Sequence, residues 1–186
     1  MYPIEYFRAL NCISPKKEIR HYLNGVYVDG NRLVASCGPT LAVIHSPNAD
    51  RPEMPGFIVP CDVVEQICKM RGNWLVEFER VSETQIKATV SGSILTFSPV
   101  DGKFPDYRSV LSGAVKANGE AAHYNPDLVQ KFVKAAKALG LKPTNIVITQ
   151  GGTGSARVQF IDREEFFGVL MPCRHLTMTV PTWVSA

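Results

Sequence analysis

The chain has little of what enzymes need. Its 186 residues include four histidines, His21, His45, His123 and His175, spread along the sequence. No His-Glu-x-x-His pair occurs, no Gly-x-Ser-x-Gly elbow, and no Gly-x-x-x-x-Gly-Lys-Ser/Thr loop, so zinc-protease, hydrolase and P-loop chemistry have no carrier. Gly151-Gly152-Thr153-Gly154-Ser155 is glycine-rich but lies between two strand-like runs, and reads as a hairpin turn. Five cysteines form an odd set without a Cys-x-x-Cys pair, which excludes a disulfide framework and reads as free thiols in a reducing compartment. Cys61 and Cys68, seven apart, share a helix face as small buried thiols. Asp101 and Asp106 have no acidic neighbours to complete a metal site, so turn capping accounts for them. The sequence thus calls for no cofactor and no metal. No window approaches the ~18 apolar residues of a membrane span, and the start Met1-Tyr-Pro-Ile-Glu5 lacks a signal peptide's basic and apolar regions. A cytoplasmic protein without membrane contact is expected.

What is present is a well-stocked core. Hydrophobic residues make up 45% of the chain, and Lys plus Arg (20) exceed Asp plus Glu (17) by only three. Contact with a polyanion must therefore come from local placement of charge. Apolar periodicity switches three times from about 3.6 to 2, giving three segments that each run from a helix into antiparallel strands. The first has a helix over 3–13 with Ile4, Phe7 and Leu10 on one face, then strands over 22–28, 32–36 and 41–45, with Asp29-Gly30-Asn31 as a hairpin turn. The second has a strand over 57–59, a helix over 62–70 and strands over 74–80, 85–90 and 93–98. Residues 110–119, small and polar, read as a linker. In the third, Asn125-Pro126 caps a helix reaching Leu139, and strands follow over 145–150, 156–161 and 166–171, with a further edge strand over 177–180.

Two basic groups suit a phosphate backbone. Lys131, Lys134 and Lys137 lie on the polar side of the third helix, a spacing that also describes an ordinary solvated face. Lys16, Lys17, Arg20, His21 and Tyr22 combine charge with aromatic rings in a loop, which serves a DNA backbone or equally a plain charged loop.

Lys103-Phe-Pro-Asp-Tyr-Arg-Ser109, preceded by Val100-Asp101-Gly102, has a composition that no catalytic or metal site requires. Together with Tyr22-Leu-Asn-Gly-Val26 and Met171-Pro-Cys-Arg174, it resembles the bacterial DNA sliding clamp, the beta subunit of DNA polymerase III. The resemblance implies an α+β clamp-like fold of repeated helix plus antiparallel-strand units, helices on one side and sheets on the other. It implies that residues 1–112 correspond to the family's central domain and 119–186 to the second half of its last domain. It further implies a non-enzymatic replication factor that encircles or binds duplex DNA without reading sequence, through Lys16, Lys17, Arg20, His21, Tyr22, Lys131, Lys134 and Lys137. A hydrophobic groove formed by Leu23, Gly38, Pro39, Thr40, Leu41, Val169 and Met171 would take a short peptide from a polymerase or other replication protein. The family's Asp-Gly-His-Arg reads Cys37-Gly38-Pro39-Thr40 here, removing an imidazole and a guanidinium from that groove. A family ring contains twelve units, so a chain holding three implies a homotetramer, with the lone third unit pairing with its counterpart in another chain. The short length fits a phage, mobile-element or divergent bacterial source. The competing expectation is a clamp-derived adaptor or inhibitor that forms no ring and binds host replication proteins.

Overall fold

The computed structural model describes residues 1–47, 49 and 54–174; the strand expected over 177–180 and His175 lie outside the described residues. The first segment runs β1 (Tyr2–Pro3), α1 (Ile4–Asn11), β2 (Gly25–Asp29), β3 (Arg32–Ser36) and β4 (Thr40–His45), with a 3-10 turn (His21–Leu23) before β2. The second is β5 (Phe57–Pro60), α2 (Cys61–Lys69), β6 (Leu75–Arg80), β7 (Ile86–Val90) and β8 (Ser93–Phe97). After α3 (Tyr107–Val115) come α4 (Pro126–Ala138), β9 (Ile146–Thr149), β10 (Ala156–Phe160) and β11 (Arg163–Leu170). No helix among the described residues is long and apolar enough to cross a membrane.

The helices start where the sequence stops other options. Pro3 and Pro60 stand just ahead of α1 and α2 in extended backbone, and proline's fixed φ is tolerated there. Asn125 accepts the Asp127 N–H at 2.9 Å, with Pro126 in the first helical position. Burial then follows the period-3.6 stripe: Ile4, Phe7 and Leu10 on α1, Val63, Val64 and Ile67 on α2, Phe132, Ala135 and Ala136 on α4.

First strands are exchanged between the first two segments. β1 pairs with β6, and β5 with β2, which locks the two units into one body. The result is a four-stranded sheet, β1-β6-β7-β8, and a seven-stranded sheet, β5-β2-β3-β4-β11-β10-β9. The larger sheet crosses from the first unit into the third at an antiparallel seam running from Thr40↔Leu170 through Leu41↔Val169 to Ile44↔Phe166.

Strand alternation gives that sheet two buried faces. Leu33, Ala35, Ala42, Ile44, Phe166 and Leu170 join a core with the apolar faces of α1, α2 and α4. Their neighbours Val34, Leu41, Val43 and Val169 form a second cluster with Leu23, Phe104, Tyr107 and Ala114. Helices α1, α2 and α4 therefore line one face, with α1 contacting both α2 and α4, and α3 with the irregular stretch before it covers the other.

Two local expectations change. Tyr22 belongs to the 3-10 turn rather than to a strand, and β2 begins only at Gly25, where Asn24 is held by reciprocal bonds with the Glu18 backbone at 2.8 and 2.9 Å. The linker expected over 110–119 is half helix. Asp106 Oδ1 accepts from the N–H groups of Arg108 (3.1 Å) and Ser109 (3.4 Å) and starts α3; burial of Tyr107 and Ala114 in the outer cluster then outweighs the small, polar composition.

Each helix of the inner layer ends on a cation from another element. Arg8 of α1 donates to the carbonyls of Cys68, Met70 and Gly72 at the end of α2. Lys131 of α4 donates to Cys12 and Ile13 at the end of α1, and Arg163 of β11 to Leu139 at the end of α4. Orphan carbonyls and the negative helix end are satisfied together, and neighbouring helices are tied to one another.

Phe132 is fully buried and seats α4 on β11. A Cβ at Gly168 would fall 2.6 Å from Phe132 Cε1 and 3.0 Å from Val158 Cβ. Gly168→Ala is expected to cost about 1–3 kcal/mol through overpacking, measured as a lower urea midpoint with an unchanged slope.

Candidate nucleic-acid interface and partner groove

The basic residues gather mainly at the C-terminal end of α1. Lys131 Nζ lies 3.2 Å from the Ile13 carbonyl, so this side chain is half-buried and occupied by capping. Lys134 is exposed one turn on, and both lysines act on Cys12. The chain then leaves α1 through Ser14-Pro15 into exposed Lys16 and Lys17. Lys16 pairs with Glu65 of α2 at 3.1 Å. A shallow depression of about 560 Å³ opens beside it, lined by Lys16, Lys17 and His21 with Asp62 and Glu65 opposite. Lys137 is exposed farther along α4. The surface thus offers Lys17, Lys134 and Lys137 free of ion pairs among the described residues, Lys16 shared with a carboxylate, and Lys131 withdrawn into the fold.

Arg20 and Tyr22 turn toward the other face, while His21 lies between the two, lining the depression and approaching Gly102. Arg20 bonds Glu18 at 3.2 Å, and its guanidinium lies over Gly38, where an added Cβ would come within 2.6 Å of Nη2. Gly38 has φ +94°, which glycine adopts without strain. His21 meets Tyr22 edge-on at 5.7 Å, and Tyr22 packs against the outer cluster beside Gly102. Arg20 therefore neighbours the groove residues rather than the lysines, and brings a guanidinium to a wall that lacks one in its own Cys37-to-Thr40 stretch.

Leu41 and Val169 are direct cross-strand partners, and the Met171 N–H donates to the Pro39 carbonyl at 2.9 Å. The two expected walls are one continuous piece of sheet. Leu23, Leu41 and Val169 are buried in the outer cluster, whereas Gly38, Pro39 and Met171 are exposed at its upper end. Thr40 pairs with Leu170 and is buried on the helix side, with its Oγ1 2.8 Å from Cys37 Sγ; strand alternation directs it away from Leu41.

Sequence reasoning missed what covers the groove floor. Phe104 stacks on Tyr27 with centroids 4.9 Å apart, and Tyr107 meets the same ring edge-on. Tyr107 Oη donates to Asp29 Oδ2 at 2.5 Å, and Arg108 reaches the same oxygen at 2.6 Å. At the far end of α3, Arg157 Nη1 donates to the Val115 carbonyl at 3.4 Å. The signal was in the sequence as Asp106 followed by Tyr107 and Leu111, a capped amphipathic turn.

No group of three or more His, Cys, Asp or Glu side chains is placed to hold a metal among the described residues. All five cysteines are free thiols. Burial pushes Cys68 up to about 12 and also raises Cys12 and Cys61, the opposite of what a nucleophile needs.

Burial first, and then the Asp29 carboxylate, push the Tyr107 phenol up to about 12. The protonated phenol is the form that donates to Asp29, so its stabilisation is complete below the unfolded value of about 10 and disappears as pH rises through about 12. Tyr107→Phe is expected to lose about 1–2 kcal/mol at neutral pH and to show a shallower fall in stability above pH ~10. Urea titrations across pH 7–12 measure both; an unchanged alkaline slope would contradict the assignment.

No protein-family profile matches the chain. Over 100 residues, 51% of this chain and 27% of the relative, it is 34% identical to the beta sliding clamp of Escherichia coli strain K12. With the beta sliding clamp of Caulobacter vibrioides strain NA1000 / CB15N it shares 28% identity over 142 residues, 70% of this chain and 37% of the relative. Among solved structures, the DNA polymerase III beta subunit of Thermotoga maritima superposes with TM-score 0.69 at 16% identity, covering 93% of this chain and 63% of that one. The sliding clamp of Bartonella birtlesii gives 0.68 at 21%, covering 92% and 64%. The matched region spans 27% to 37% of the curated relatives' length and under two thirds of the solved chains. This chain is a clamp-like α+β protein, with the fold of the bacterial DNA sliding clamp and a recognisable sequence resemblance to it.

Proposed function

We propose that this protein is a non-enzymatic, sliding-clamp-like replication accessory factor of the cytoplasm. It holds duplex DNA against the face lined by α1, α2 and α4 and recruits a polymerase or other replication protein at the outer face. The observation that carries this reading is the pairing of a three-helix layer, with Lys16, Lys17 and Lys134 grouped about the end of α1, with an unbroken seven-stranded sheet behind it. Side chains of this kind contact phosphates without reading bases. Lys137 completes the proposed DNA face, whereas Lys131, expected there as well, is taken up by capping the end of α1.

In this reading residues 1–112 do the work of a clamp's central domain and 119–186 that of half a last domain. Encirclement then requires several copies, and four copies of three units make the full ring. The partner's peptide is expected to enter at exposed Gly38, Pro39 and Met171, with Arg20 beside them, and to reach Leu23, Leu41 and Val169 only where Phe104 and Tyr107 give way. That filled floor favours one second reading: an adaptor of clamp ancestry that forms no ring and docks on other replication proteins through the rim alone.

A nicked circular plasmid distinguishes the two. The ring reading predicts retention during gel filtration and release once the circle is linearised; equal retention on both forms, or none on either, contradicts it. For the phosphate contacts, Lys134→Glu with Lys137→Glu is expected to make the slope of log affinity against log salt shallower by about 2. Fluorescence anisotropy with a short duplex measures that slope, and an unchanged value removes these lysines from the DNA face.

A further inference from the structure

Arg157 is a half-buried cation that the fold leaves poorly satisfied. Its Nη1 donates to the Val115 carbonyl and its Nη2 to Thr149 Oγ1, both at 3.4 Å, beyond the usual N–H···O range. Its Nε is buried without a partner. No ion pair among the described residues includes it, whereas Arg163 on the neighbouring strand holds two carboxylates and the Leu139 carbonyl. A buried donor left unpaired costs stability, so an orphan of this kind calls for a group that arrives from outside.

Strand pairing fixes where the side chain stands. Arg157 lies directly opposite Val169, and Val169 opposite Leu41, so the three form one row across β10, β11 and β4. Directly opposite residues share a face, and Leu41 and Val169 belong to the outer cluster. The guanidinium therefore ends the apolar row that floors the partner groove, while Arg20 lies past β4, over Gly38 of the β3–β4 turn. What rests on Arg157 is the last turn of α3, and that turn is held lightly. The start of α3 is fixed by the Asp106 cap and by Tyr107 and Arg108 on Asp29. In its last turn Ala114 alone is buried and Val115 is 59% exposed. A Cβ at Gly113 would meet only Ser155 Oγ, at 3.8 Å.

We infer that Arg157 is a specificity-determining residue of the partner groove: it takes a carboxylate from an acidic side chain of the partner's peptide, displacing the last turn of α3 as the peptide enters. A planar guanidinium binds a carboxylate through two parallel bonds, here from Nε and one Nη. The apolar row beside it accepts an aliphatic or aromatic neighbour of that acid, so the ligand is an acidic and apolar segment rather than a purely hydrophobic one. The charge missing from the Cys37-to-Thr40 stretch is supplied from both sides, by Arg20 and by Arg157. This inference rests on the outer face being the partner's docking face, and it needs neither DNA nor a ring.

A double-mutant cycle on the full chain tests it. The probes are two blocked tripeptides, acetyl-Asp-Leu-Phe amide and its Asn counterpart, titrated to millimolar concentration and followed in the amide resonances of Leu41 and Val169. Wild type is expected to bind the Asp peptide about ten-fold more tightly than the Asn peptide, and Arg157→Met to bind the two equally. Arg157→Met is also expected to keep or raise the urea midpoint, because an apolar side chain removes the unpaired donor. A role confined to capping α3 gives the reverse, a lower midpoint with an unchanged Asp-to-Asn ratio, and overturns the inference. A ratio near one in wild type, a ratio that survives in Arg157→Met, or no binding of either peptide overturns it as well. Loss of duplex affinity in the variant with the ratio intact makes Arg157 a phosphate contact and has the same consequence. If the cycle holds while nicked circles are not retained, the ring reading fails and the carboxylate site stands; if the circles are retained and neither tripeptide binds, the site fails alone.

Discussion

The antiparallel seam between β4 and β11 is the interaction on which the rest of the molecule depends. It joins residues more than a hundred positions apart and turns two sets of strands into one seven-stranded sheet. Everything placed on either face inherits its geometry. On the helix side, the seam fixes the distance between α1 and α4, so that Lys131 meets the end of α1. On the other side, it makes neighbours of Leu41 and Val169 and provides the floor that Phe104, Tyr107 and Ala114 cover. Isolated, the third unit would have one helix on three strands and an apolar face on β11 without a partner.

The same architecture decides how positive charge is used. A layer of short helices has many orphan carbonyls for its size, and this chain satisfies them with Arg8, Lys131 and Arg163 reaching from one element to the end of another. Arg163 is also held by Glu5 at 3.0 Å and Glu165 at 3.1 Å, linking β11, α1 and α4 at one point. Cations used in this way contribute to folding before they contribute to binding. What remains exposed at the end of α1 is a small set of lysines, consistent with a surface that touches a polyanion weakly and without sequence preference. The net charge of +3 allows little more.

Periodicity made most of the fold legible. β3 falls on the expected residues 32–36, and α2, α4 and the strands of the second and third units begin or end within a few residues of where alternation and caps put them. Short strong signals did this work: Asp29-Gly30-Asn31 between β2 and β3, and Asn125-Pro126 before α4. The heptapeptide around Phe104 marked the family resemblance, yet its physical role was hidden. Composition alone made 110–119 look like a linker, because Gly113, Gly119, Ser112, Lys116 and Asn118 interrupt its small apolar residues; only the outer face of the sheet, built by strands distant in sequence, gives α3 a reason to form. Thr40 and Lys131 were misleading for the same reason. Motif position put Thr40 in the groove wall, while strand alternation turns it inward, and a helical wheel cannot reveal that Lys131 faces the end of another helix.

The central claim is that units drawn from both ends of the sequence fold as one body through the β4–β11 seam. Native-state hydrogen exchange measured across a denaturant series tests it most directly. The account predicts that the amides of Ala42 to Ile44 and of Phe166 to Leu170 open in the same transition, with the same free energy, as those of Leu33 to Ala35. If β11 exchanges in a separate, lower-energy step that leaves β3 and β4 protected, the third unit is an appended module and the single-body account is wrong.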